Sequence, residues 1–164
     1  FGRAVALDPV DGSERWVFEP NGPIDPRDVL GPKCRGVAAW LDPDAAPGTP
    51  CRRRVIYGTW DFRVFALDAR NGRRRRDFGR NGEVVLDPGK KLLTRRELQI
   101  GSPPAITGDL AIFGSLVMDG LRADGPSGKV RALDLRSGEL RWEFDPIPRT
   151  ATDPAAATTI EPGT

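Results

Sequence analysis

One segment is written three times in this chain, and a repeat of that length leaves few folds open. It reads Ala6-Leu-Asp-Pro-Val-Asp-Gly12-Ser-Glu-Arg-Trp16, then Ala66-Leu-Asp-Ala-Arg-Asn-Gly72, then Ala132-Leu-Asp-Leu-Arg-Ser-Gly138-Glu-Leu-Arg-Trp142. The first and third copies set Phe18 and Phe144 two residues past the Trp, whereas the second runs through four arginines to Asp77-Phe78. The copies begin at residues 6, 66 and 132, so they lie 60 and 66 residues apart. Short strands repeating at that interval point to blades of a β-propeller rather than to a helical solenoid.

The residues around each copy support strands. Leu110–Ser115, Lys129–Asp134 and Glu139–Phe144 are runs of usual strand length, and Val130, Ala132, Leu140, Trp142 and Phe144 alternate with charged neighbours. Gly108-Asp109 and Ser137-Gly138 read as two-residue turns, because glycine supplies left-handed backbone. In the second copy, Val55–Thr59 and Arg63–Asp68 flank a turn at Trp60-Asp61-Phe62. The Asp of each Ala-Leu-Asp is expected to cap its turn by accepting from backbone amides. The Trp is expected to fill the seam between neighbouring blades, where a large ring buries much area.

The expected fold is all-β: a β-propeller fragment of about two and a half four-stranded blades. A blade remnant is placed at 1–30, one blade at 31–90 and another at 91–150, with 151–164 as a loop or linker. A closed propeller needs at least four blades, so the rest of the propeller is an expected partner. The arginine runs 52–54 and 73–76 are read as solvated turns and edges and not as a nucleic-acid surface, because the net charge is only +2 and no aromatics interleave them. No apolar run approaches the length of a membrane span. Two cysteines, Cys34 and Cys51, with no histidine in the chain make a poor metal site. A disulfide between them is one open reading.

Four stretches go further: Cys34-Arg-Gly-Val-Ala-Ala-Trp40; Tyr57-Gly-Thr-Trp-Asp-Phe62 with Asp77-Phe-Gly-Arg-Asn-Gly82; Gly101-Ser-Pro-Pro104 with Gly114-Ser115 and Asp119; and Pro126–Trp142. In this order they resemble the pyrroloquinoline quinone (PQQ)-dependent dehydrogenases, in particular the glucose and quinate dehydrogenase branch. The resemblance implies an eight-bladed propeller whose axis holds PQQ and a divalent cation, usually calcium (or magnesium). It implies PQQ contacts at Arg35, Trp40, Gly101 and Ser102, and a metal ligand at Asp119. A guanidinium fork suits the cofactor's carboxylate or quinone oxygens, and a carboxylate suits calcium. Asp119-Gly120 equally suits a turn, and the indole of Trp40 equally suits a seam. Asp61, also matched, is explained by turn chemistry.

The resemblance also places the catalytic aspartate downstream of the matched segment, so no catalytic residue is assigned here. It implies oxidation of a sugar, polyol or alcohol, with electrons passing to a quinone or a cytochrome. The implied location is the periplasm, with a tether to the inner membrane outside this chain left open. The alternative is a non-catalytic propeller with similar repeats, serving as a scaffold in outer-membrane protein assembly. That reading does not call for the Cys-Arg-Gly-Val and Gly-Ser-Pro-Pro elements.

Overall fold

The computed structural model describes residues 2–20, 35–94, 97–122, 124–147 and 152, and every regular element among them is a β-strand. The first copy forms a hairpin of β1 (Ala4–Leu7) and β2 (Glu14–Phe18). The second forms an antiparallel sheet in the order β3 (Ala38–Leu41), β4 (Arg53–Gly58), β5 (Arg63–Asp68), β6 (Glu83–Val85). The third forms an antiparallel sheet of β8 (Ala105–Thr107), β9 (Leu110–Phe113), β11 (Val130–Asp134) and β12 (Leu140–Phe144). A two-stranded ribbon pairs β7 (Leu98–Gln99) with β10 (Leu116–Val117). Two four-stranded antiparallel meanders beside a hairpin are the propeller architecture that the repeats predict.

One connection departs from the expected run of hairpins. After β9 the chain leaves its sheet for residues 116–128 before returning as β11, and the first two of these pair with β7 instead. The matching connection in the second sheet, between Thr59 and Arg63, is a tight turn with Phe62 at φ 67.

The three copies agree bond for bond. The Asp amide donates to the carbonyl five residues on, at 2.8 Å for Asp8 to Ser13, 2.8 Å for Asp68 to Arg73 and 2.9 Å for Asp134 to Glu139. The Gly amide donates back to the Asp carbonyl at 2.9, 2.8 and 2.8 Å. Each Asp Oδ1 accepts from the amide two residues on, Val10, Arg70 or Arg136, at 2.9, 2.9 and 2.8 Å. The capping role expected of the Asp is therefore present three times. Ser137-Gly138, however, is not a two-residue turn. The closing bonds enclose Leu135–Gly138, with a register shift at Ala132/Leu133. Gly108-Asp109 does close a two-residue turn, with Thr107 paired to Leu110 and Gly108 at φ 55.

These caps make an acid-stability prediction. Burial alone would raise the Asp134 carboxyl, but the amides of Ser137 and Arg136 outweigh it and hold the group below the usual carboxylate range. Asp68 is likewise held low, against its burial, by bonds from Cys51 and Arg70. A carboxyl whose folded pKa lies below its unfolded value stabilises fully above the unfolded value. That stability is lost as the pH falls through the folded one. Urea unfolding followed downward from about pH 4 should show a steep loss of stability that Asp134→Asn flattens. An unchanged acid limb in the variant would count against the cap.

The sheets are joined by parts taken from neighbouring copies. Trp16 Nε1 donates to Ala69 O at 3.0 Å, and its ring covers Gly72 so closely that a Cβ there would sit 2.6 Å from Cε3. This is the seam role expected of the Trp. At the next seam, where the second copy lacks Trp, buried Phe78 packs on Gly138 and the Gly79 amide donates to Ser137 O at 2.7 Å. Ile56, Val64, Phe78, Phe113, Leu133 and Leu135 belong to one core cluster across this seam. Trp142, on β12, stays 41% exposed.

The arginine runs are only partly solvated. Arg53 and Arg73 are exposed, as expected. Arg54 is buried, donating to Leu135 O and Arg136 O at 2.9 Å each and pairing with Asp77 at 3.2 Å. Arg74 lies over the Phe18 and Phe65 rings and pairs with Glu83 at 3.1 Å. A guanidinium can fill a seam because its flat face packs while its edges satisfy carbonyls.

Candidate functional site

Three segments that the sequence singled out meet at one end of β3 and β8. Arg35 immediately precedes β3 by two residues of Gly36-Val37, and Gly36, at φ 150, brings the backbone against Pro103, where a Cβ would lie 3.7 Å from Cγ. Gly101-Ser102-Pro103-Pro104 connects β7 to β8. The two prolines lack amide donors and keep this stretch out of the ladder. Gly114-Ser115 follows β9. Arg35, Gly101, Ser102, Gly114, Ser115 and Leu116 line a shared pocket of about 200 Å³.

The pocket mixes cationic, hydroxyl and bare-backbone surface. Arg35 is exposed, and among the described residues no carboxylate pairs with it. The Ser115 hydroxyl donates to Lys129 O at 2.7 Å and accepts from Arg131 Nη1 at 3.3 Å. A Cβ at Gly101 would meet Leu116 Cδ2 at 3.6 Å, an ordinary contact, so the missing side chain leaves open room at the wall rather than relieving a clash. Such a lining suits a flat anion. A guanidinium and the Ser102 hydroxyl can hold its carboxylates, and glycine lets a ring approach the backbone.

Behind the wall, the connection 116–122 is pinned by an ion pair. Arg122 Nε lies 2.7 Å from Glu97 Oε1, and Glu97 is almost fully buried. Leu93 N donates to Glu97 Oε2 at 2.6 Å and Met118 N to Glu97 O at 3.1 Å.

Arg35, Gly101 and Ser102 thus come together, while two other sequence candidates stand apart. Trp40 is buried at the seam between the two four-stranded sheets, its Nε1 donating to Gly108 O at 2.9 Å. The guanidinium carbons of Arg54 and Arg136 lie 5.6 and 5.2 Å from its ring centroid. Alternation along β3 sends its side chain into that seam, as the seam reading expects, and Trp40 does not line the pocket. Asp119 is exposed in a turn with Gly120, at φ 76, and does not line the pocket. Among the described residues no three acidic, histidine or cysteine side chains gather as a metal site. Calcium takes about 6–8 oxygen ligands, so these residues do not fit a cation by themselves. Asp61 accepts from Thr59 Oγ1 at 2.5 Å and Arg63 Nε at 2.8 Å, which is turn chemistry.

Cys51 is a free thiol, bonded through Sγ to Asp68 Oδ2 at 3.0 Å. Burial and the Asp68 carboxylate push that thiol up. Cys34 lies outside the described residues, as does the expected linker 151–164 apart from Thr152.

Sequence reasoning left Ser115 and Leu116 off the site. The repeat itself carries the signal for the first. Ile56 pairs with Ala66 as Ile112 pairs with Ala132, so Gly58-Thr59 and Gly114-Ser115 are equivalent. Thr59 Oγ1 lies 3.1 Å from Arg63 O, in the place where Ser115 donates to Lys129 O, although its proton goes to Asp61.

The family model for the glucose/ethanol/alcohol dehydrogenase β-propeller domain, PQQ type, matches residues 1–164. The chain is 36% identical over 157 residues to a quinate/shikimate dehydrogenase (quinone) of Acinetobacter baylyi, covering 86% of this chain and 19% of that protein. It is 31% identical over 163 residues to quinoprotein glucose dehydrogenase A of Acinetobacter calcoaceticus, covering 93% of this chain and 20% of that protein. Among solved structures, the quinohemoprotein alcohol dehydrogenase of Comamonas testosteroni aligns with a TM-score of 0.63 at 25% identity, over 96% of this chain and 21% of that one. The chain therefore spans about a fifth of the length of the curated relatives it matches. With its propeller sheets and its matched residues, the chain belongs to the β-propeller family of PQQ-dependent glucose, ethanol and alcohol dehydrogenases.

Proposed function

We propose that this chain supplies one wall of the PQQ site of a quinoprotein dehydrogenase that oxidises a sugar, polyol or alcohol, with electrons passing to a quinone or a cytochrome. The observation that carries the reading is the convergence of Arg35, Gly101 and Ser102 on one pocket with Ser115. When bound, PQQ supplies an ortho-quinone that accepts a hydride equivalent from the substrate carbinol. Arg35 holds a carboxylate or quinone oxygen of the cofactor in its fork. Ser102 and Ser115 orient the polar edge, and Gly101 leaves the ring room at the backbone. Asp119 offers one carboxylate toward a cation, and completing that coordination takes residues beyond those described.

The base that takes the carbinol proton is not assigned to this chain, so the 164 residues alone are expected to oxidise no glucose or alcohol. Dye-linked oxidation by the chain with added PQQ and calcium would overturn that expectation. The location that the family resemblance implies is the periplasm, with or without a tether to the inner membrane.

PQQ titration of the full-length protein tests the site. A bond from a charged donor contributes about 1.5–3 kcal/mol, on the order of 10–100-fold in affinity. Arg35→Ala should weaken PQQ binding by about that factor with the fold unchanged by circular dichroism. Wild-type affinity in the variant would remove Arg35 from the site.

A further inference from the structure

The repeat provides an internal control that isolates one residue behind the pocket. Counting back from the shared Ala, the same strand position holds Val5 in the first copy, Phe65 in the second and Arg131 in the third. The first two show that the fold is satisfied by an apolar side chain there. Arg131 is nonetheless buried at 2% exposure. Burying a guanidinium where a hydrophobe serves is costly unless every bond is made.

One of its bonds reaches the pocket wall, and the others anchor the guanidinium behind it. Arg131 Nη1 donates to Ser115 Oγ at 3.3 Å and Nη2 to Asp87 O at 2.7 Å, while the guanidinium lies 5.3 Å over the Phe62 ring. Its Nε lies 3.4 Å from Glu143 Oε2, and Lys129 bonds the other oxygen of the same carboxylate. Two cations thus share one carboxylate. The equivalent hydroxyl, Thr59, gives its proton to Asp61 at 2.5 Å and accepts from the Arg63 amide at 3.3 Å, with Phe65 in the place of the arginine. In that copy the Arg63 guanidinium reaches Asp61 instead, so the bond from Arg131 to the hydroxyl belongs to the third copy.

We propose that Arg131 is a positioning residue for the pocket: it locks the Ser115 hydroxyl on the wall in one orientation. This rests on the PQQ reading only for the identity of the ligand. A hydroxyl that donates to Lys129 O and accepts from Arg131 has one lone pair left, so Ser115 presents a fixed acceptor to a donor group of the ligand.

The test is a double-mutant cycle in the full-length protein, read by PQQ affinity and by thermal unfolding. Arg131→Met should weaken PQQ binding about tenfold, and Ser115→Ala by a similar or smaller factor. If Arg131 acts through Ser115, the double variant should bind much as the weaker single variant does. Fully multiplicative losses, or an Arg131→Met protein with wild-type affinity, would overturn the proposal. Arg131→Lys restores charge without the planar fork and should recover only part of the affinity; full recovery would reduce Arg131 to a bare charge and defeat the positioning claim. If Arg131→Met does not fold, the same cycle with Arg131→Lys decides. Amide exchange over Gly114–Val117, which requires no cofactor, separates this claim from the PQQ reading. Protection there should fall in the arginine variant even if the wild-type protein bound no PQQ, and unchanged protection would count against the lock.

Discussion

Replacing Trp40 by alanine should lower the unfolding free energy by about 4 kcal/mol, in the range of buried Trp and Phe truncations. The ring is 6% exposed, and it sits between the guanidinium groups of Arg54 and Arg136, which come from the two different sheets that it joins. Truncation removes the apolar contact and strands the Gly108 carbonyl that accepts from Nε1. It also deprives two cations of the ring face they share, each such contact contributing about 0.5–1 kcal/mol or more. Trp40→Phe separates these effects. It keeps an aromatic surface and loses the Nε1 donor, and it should cost roughly 1–2 kcal/mol. Denaturant unfolding measures both. An alanine variant within about 1 kcal/mol of the parent would mean that the sheets are held elsewhere.

The second large effect is expected at Gly138, and the repeat supplies its controls. Gly12, Gly72 and Gly138 occupy the same turn position at φ 75, 68 and 77, so alanine meets the same backbone strain at all three, roughly 1 kcal/mol. The surroundings differ. A Cβ at Gly12 meets nothing within 4 Å, one at Gly72 meets the Trp16 ring at 2.6 Å, and one at Gly138 meets the Gly79 amide nitrogen at 2.9 Å and Val84 Cγ2 at 2.8 Å. An indole can shift, whereas a backbone amide engaged with Ser137 O cannot without breaking that bond. Overpacking of this kind adds about 1–3 kcal/mol. The expected order of destabilisation is Gly12→Ala, then Gly72→Ala, then Gly138→Ala at about 3 kcal/mol. Equal losses at the three sites, measured by urea unfolding, would show that only backbone strain matters and that the seams are loose.

These two cases also mark what the sequence could and could not tell. The Asp caps and the glycine turns were legible because they are made within a few residues, so a short motif contains all of their partners. The replacement of Trp by Phe78 at one seam was not legible, because the site it fills belongs to Gly138 on another sheet. Trp40 shows the same limit in the candidate site. Beside Arg35 in sequence it suggests a cofactor face, yet strand alternation turns it toward the next sheet. Arg35, Gly101 and Ser102 were found because their motif stretches match a known family, and the structure adds that they share one pocket. Arg131 could have been found by laying the three copies side by side and asking where a polar residue replaces an apolar one, and Ser115 by matching its hydroxyl to that of Thr59.

Four seam bonds run forward along the chain: Trp16, Trp40, Arg54 and Gly79 donate from earlier residues, while Ala69, Gly108, Leu135 and Ser137 accept on later ones. Tyr57 to Gly2 and Arg136 to Asp42 run the other way. During synthesis, each of the four forward donors leaves the ribosome before its acceptor exists. An indole or buried guanidinium waiting for its carbonyl stays solvated, so a sheet cannot finish packing until the next has been made. The repeat thereby sets an order of maturation: every unit is completed by its successor, and a ribosome paused between two copies would hold the earlier one unfinished.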